Sequence, residues 1–259
     1  TTERIGEARS RLGTAAPVPP VSVLEHTLAQ ARARVLMDPR ADTLRRWQAL
    51  DADTTAGSAA DKLAAAYTSA LASTLMRDWP RADAALAKAQ ALVRSGSRSD
   101  GRAERAVALL AAQAMLDRGE ALRAEALLQP YAADGSRPVT LLSARAALAS
   151  GDEARAKRSA EELQTWVSAH ASDAEAWTTL GQLWARLGQR LRALRADAEA
   201  QLALGDFSGA IDRLRAGQRL ARGGSGPGVD FIEASVIDAR LRDVLAQYKQ
   251  LMAERQPGQ

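Results

Sequence analysis

Residues 147–163 read ALASGDEARAKRSAEEL, and within them Gly151-Asp152 closes one amphipathic helix and opens another. The same skeleton returns three times, as TLMRDWPRADAALAKAQAL at 74–92, MLDRGEALRAEALLQPY at 115–131 and LALGDFSGAIDRLRAG at 202–217. In each passage an alanine stands five residues after the first turn position, at Ala82, Ala124, Ala156 and Ala210. Four residues further on sits Leu86, Leu128, Ala160 or Leu214. Two antiparallel helices approach closely only where a small side chain lies at their crossing, and that is what the alanines supply. Gly119, Gly151 and Gly205 suit a left-handed helix end because they carry no Cβ to clash. A fifth passage, AWTTLGQLWARLG at 176–188, places Trp177, Leu180, Gly181 and Trp184 at the spacing of the first helix of a tetratricopeptide repeat. Self-similarity in register reports a stacked array. The expected fold is all-α, a tetratricopeptide-like right-handed superhelical array of antiparallel helix pairs, an α-solenoid.

Composition agrees with helix. Ala, Leu, Arg, Glu, Asp and Gln dominate the 259 residues and aromatic residues are only 4%. Breakers at Asp38-Pro39, 53–58, 94–101, 132–138, 170–173 and 222–228 separate segments whose apolar positions return at three and four. A short helix at Glu3–Leu12 precedes Pro17, Pro19 and Pro20. The expected organisation is a linker helix and Pro-rich connector over 1–20, the array over 21–221, and a Gly-rich loop with a capping helix over 222–259. Trp79, Trp177 and Trp184 read as core, and Arg192 reads as surface.

Several chemistries are set aside. The chain has no cysteine, which excludes a disulfide framework or thiolate metal site. The longest nearly apolar stretch, Ala106 to Leu116, is about half of the roughly 20 residues that span a bilayer, so no membrane span is expected. Net charge is +4, from 35 basic and 31 acidic residues. Interspersed acids dilute the Arg clusters at 32–46 and 186–195, and aromatic stacking platforms are few, so nucleic acid is not an expected partner. GGSGPG at 223–228 has no following Lys-Ser or Lys-Thr and reads as a loop. His26 and His170 are far apart and read as surface residues; no HExxH occurs. No catalytic, cofactor or metal residue is assigned.

The last seventy residues are the most particular. LGQRLRALRADAEAQLALGDFSGAIDRLRAGQRL at 187–220, then DFIEASVIDARLRDVLAQYKQLM at 230–252, resemble the carboxy-terminal repeat region of BepA-like (YfgC-like) bacterial zinc metallopeptidases. The elements that carry the resemblance are Trp177, the helix through Arg195 to Glu199, the hairpin Gly205 to Leu214, and Ile237-Asp238-Ala239-Arg240. TTERIGEARSRL at 1–12 is similar to the stretch that ends the family's protease core. The resemblance implies a periplasmic setting and partners that are proteins or peptides: outer-membrane protein clients, assembly machinery, or its own protease core. It also implies that zinc and catalysis belong to a domain upstream. With Thr1 in place of an initiator Met and no leader, the sequence reads as a piece of a longer product. The alternatives are a free-standing cytoplasmic repeat adaptor and a repeat-type nucleic-acid-binding regulator.

Counting from the turns, the inward positions of the first helices are Tyr67, Leu71, Gln113, Arg145, Gln182, Arg186, Arg195 and Glu199. Arg, Gln and Tyr suit an extended peptide, whose backbone needs polar partners. Asp238 and Arg240 are expected to hold the terminal helix against the array or against the protease core.

Overall fold

The computed structural model describes residues 23–53, 57–95, 100–223 and 230–254; these form helices joined by short turns, with no strand among them. The helix expected at 3–12, its Pro-rich connector and the loop residues 224–228 lie outside the described residues. The chain divides into two compact units, Thr1–Ala114 and Met115–Gln259. The stretch expected as one array, 21–221, runs through both units, and the terminal helix falls in the second.

The first unit holds α1 (Val23–Met37), α2 (Ala41–Gln48), α3 (Ala59–Leu75), α4 (Trp79–Arg94) and most of α5 (Gly101–Asp117). α1, α2 and α4 all pack on α3. A Ser58–Asp61 capping box starts α3: Asp61 N–H donates to Ser58 Oγ, and Ser58 N–H donates to the Asp61 carboxylate at 3.0 Å. Every residue from Ala66 to Thr74 is buried. Small side chains permit this enclosure, and their hydroxyls are satisfied locally: Ser69 donates to Gln48 O at 2.8 Å and Thr74 to Ala70 O at 2.8 Å.

The second unit contains α6 (Ala121–Leu128), α7 (Arg137–Ser150), α8 (Glu153–Ala169), α9 (Ala174–Arg186), α10 (Arg190–Ala203), α11 (Phe207–Gly223) and α12 (Phe231–Glu254). Each packs on the next in the chain; α7 also meets α9, and α10 meets α12. Two apolar clusters fill it. One joins Leu163, Trp177, Leu180 and Trp184 to Ala193, Ala196 and Ala200 of α10. The other joins Leu191 and Ala198 of the same helix to Ile211, Leu214, Ile237 and Val244. α10 is therefore buried on two sides, which its short alanine side chains allow without forcing the neighbours apart.

The turn skeleton is realised at all four places. Ala82, Ala124, Ala156 and Ala210 are each no more than 1% exposed, and Leu86, Leu128, Ala160 and Leu214 are buried beside them. Gly119, Gly151 and Gly205 adopt φ of 83°, 73° and 79°, and Arg77 takes the equivalent place at 58° without the help of glycine. Gly181 makes a different contribution: a Cβ there would lie 2.5 Å from Asp197 Oδ1 and 3.4 Å from Ala193 O, so its absence lets α9 and α10 close up. Trp177 and Trp184 are core as expected, while Trp79 is only half-buried. Among the described residues no helix is long and apolar enough to cross a membrane.

Candidate peptide groove

The core-facing side of α8 is Ala156, Ser159, Ala160, Leu163 and Val167. Helical periodicity puts Glu153, Lys157, Glu161 and Gln164 on the face beside that stripe, and these four form one wall of a groove of about 610 Å³ within the second unit. Asp152 fixes where that wall begins by accepting from Arg155 N–H at 2.9 Å, which caps α8. Trp184, Leu187 and Gln189 come from the end of α9 and the turn after it, where Gly188 at φ 72° reverses the chain. Arg192 and Arg195 of α10 and Glu233 of α12 complete the lining.

The charges on the α10 and α12 side are already matched. Arg195 Nε donates to the carboxylate of Glu233, whose side chain is 8% exposed. Arg192 approaches Asp230 at 3.5 Å and lays its guanidinium carbon 5.1 Å from the centre of the Trp184 ring. Its Nε is buried without a hydrogen-bond partner although the side chain is 40% exposed, so Arg192, expected at the surface, is only partly there. On α8, by contrast, Glu153, Lys157 and Glu161 are exposed and enter no ion pair among the described residues.

A second polar assembly holds the base of α9. Asp173 accepts from Ala176 N–H at 3.2 Å as the helix cap, from Trp166 Nε1 at 3.0 Å, and from Arg137 Nε and Nη2 at 2.8 and 2.9 Å. The Arg137 guanidinium, opposed in part by desolvation, holds the Asp173 carboxyl down to about 2. Arg137 also donates to Glu175 at 2.9 Å. Asp197 behaves in the opposite way, since burial pushes its carboxyl above the ordinary value against the pull of Arg213.

The positions expected to line a groove fall in both units, Tyr67, Leu71 and Gln113 in the first and Arg145, Gln182, Arg186, Arg195 and Glu199 in the second. Tyr67 and Leu71 are 3% and 0% exposed; α3 is enclosed by three neighbours, so both belong to the core of the first unit. Gln113 accepts from Arg32 at 3.0 Å and is half-buried. Arg145 is exposed and stands 3.9 Å from Asp117. Gln182 is exposed, and Arg186 donates to Gly151 O at 2.9 Å, outside the groove lining. Glu199 accepts from Arg240 Nε and Nη2 at 2.6 and 2.7 Å, which raises that guanidinium above its ordinary value. Of the eight, Arg195 alone lines this groove. Asp238 accepts from Gln218 at 2.6 Å, so it and Arg240 both fasten α12 to the preceding helices.

No protein-family model and no curated protein matches this chain. The groove's lining is mostly polar and charged, with Trp184 and Leu187 as its apolar members, and, among the described residues, no group of three or more His, Asp or Glu stands close enough to hold a metal ion.

The residues missed by sequence reasoning are those on α8. Their spacing of 4, 4 and 3 is visible in the sequence, but it reads as an ordinary solvated face until α9, α10 and α12 are seen to surround it. Glu233 carried no signal, because its partner Arg195 is 38 positions away.

Proposed function

We propose that this chain is a non-catalytic protein-binding scaffold of the tetratricopeptide type and that the second unit grips an extended stretch of another polypeptide. The observation that carries the reading is the groove itself: Trp184 and Leu187 offer apolar contact, while Glu153, Lys157 and Glu161 stand unpaired on the rim. Extended chain needs both kinds of contact, because its backbone and alternate side chains differ in polarity. The resemblance of residues 187–252 to BepA-like zinc metallopeptidases gives this activity a setting, the periplasm, with outer-membrane protein clients or assembly components as the bound chains. In that setting zinc and peptide cleavage belong to the protease core, and this chain contributes recognition.

Equilibrium binding of unfolded outer-membrane β-barrel segments, followed by fluorescence anisotropy, tests the reading. Gln164→Trp, which introduces a ring at the groove edge, is expected to weaken binding about tenfold. Arg219→Ala, on the exposed side of α11, is expected to leave it unchanged. Equal affinity of both variants and the parent would place the clients elsewhere, and zinc-dependent cleavage by the purified chain would contradict the non-catalytic assignment.

A further inference from the structure

The unpaired charges along α8 have an order. Glu153, Lys157 and Glu161 run acid, base, acid at intervals of four residues and face one groove. Four helical residues rise about 6 Å, and alternate side chains on one face of an extended strand lie about 6.6 Å apart. The two spacings are close enough for three successive cross-contacts to stay in register. From Glu153 to Gln164 the wall covers about 16 Å, which matches about five residues of extended chain.

The opposite side sharpens the match. Arg195 is paired with Glu233 and Arg192 with Asp230, so the charges on that side are already balanced within the protein. A bound segment meets unmatched charge only along α8, and meets apolar surface at Trp184 and Leu187. We infer that the groove selects an extended, amphipathic segment in which alternate residues read basic, acidic, basic on one face and are apolar on the other. Because that order is the same from either end, the segment is accepted in both chain directions. Basic side chains oppose Glu153 and Glu161, and the acidic one opposes Lys157.

This inference rests on the proposed peptide binding and is tested apart from it with three end-blocked, fluorescently labelled peptides: Lys-Val-Glu-Val-Lys, the reordered Lys-Val-Lys-Val-Glu of identical composition, and the inverted Glu-Val-Lys-Val-Glu. The first is expected to bind about tenfold more tightly than the other two, three partly screened charge contacts being enough for such a ratio. In the Glu153→Lys, Lys157→Glu, Glu161→Lys triple variant the inverted peptide is expected to become the preferred one, with circular dichroism reporting that the helices are retained. The preference is expected to shrink in 1 M salt, where the screening length falls to about 3 Å. If unfolded client binds but the three peptides bind alike, or none of them binds, the charge order is overturned while the groove reading stands. If neither client nor peptides bind, both fall.

Discussion

α3 in the first unit and α9 in the second both open a hairpin with a left-handed turn, at Arg77 and Gly188, yet only α9 keeps an open side. α3 is buried without a break from Ala66 to Thr74, whereas α9 leaves Thr178, Gln182, Ala185 and Arg186 exposed and offers the edge of Trp184 to a groove. The difference lies in composition and neighbours. Ala, Ser and Thr on all sides of α3 let α1, α2 and α4 approach from three directions. The larger Trp177, Leu180, Leu183 and Trp184 of α9 define one packed face, and polar residues keep the rest in water. Possession of the hairpin skeleton does not leave a helix face open; what matters is how many neighbours the first helix has to satisfy.

The largest expected effect separates two positions that sequence counting treats as equivalent. Leu71→Ala removes a fully buried side chain and is expected to destabilise the protein by about 2–5 kcal/mol, whereas Gln182→Ala should stay within about 0.5 kcal/mol. Similar denaturation midpoints for the two variants would erase the contrast between a closed α3 and an open α9.

The helix starts differ as well. α3 is capped by its own Ser58 and Asp61, while α9 is anchored to α7 and α8 through Asp173, Arg137 and Trp166. The folded Asp173 carboxyl titrates at about 2, below the roughly 3.9 of an unfolded aspartate. A depressed value stabilises the fold above pH about 4, and that contribution is lost as the pH falls from about 4 to about 2. Stability curves over this window are expected to drop about 2 kcal/mol further for the parent than for Asp173→Asn. Parallel curves would mean that Asp173 does not hold the base of α9.

The smallest effect concerns the turns. Arg77→Gly relieves a left-handed residue and is expected to raise stability by up to about 1 kcal/mol, whereas Gly151→Ala lowers it by a comparable amount. Thermal unfolding that shifts both variants in the same direction would contradict a shared turn geometry.

Much of the fold was legible because it depends on local rules. The glycines at 119, 151 and 205, the alanines five residues after each turn, and, among the described residues, the breakers Pro39, Gly135 and Pro138 fall where helices begin, end or cross. Arg77 escaped notice as a left-handed residue because nothing in its side chain announces the conformation; only its alignment with the glycines does. The burial of Tyr67 and Leu71 had a visible sign, the absence of any charged residue in AAAYTSALAST at 64–74, but counting from the turn overrode it. The groove was hidden for a different reason. Its walls come from α8, α9, α10 and α12, and pairs such as Arg195 with Glu233 and Arg240 with Glu199 join residues 38 and 41 positions apart without any periodic signal.

The most direct measurement is site-specific photocrosslinking to an unfolded client, with the reactive group placed either at Lys157 on α8 or at the exposed Ala87 on α4. Strong adducts from position 157 and only background from position 87 are predicted. Equal labelling from both positions, or labelling from 87 alone, would contradict the claim that the open groove of the second unit is where a partner chain is held.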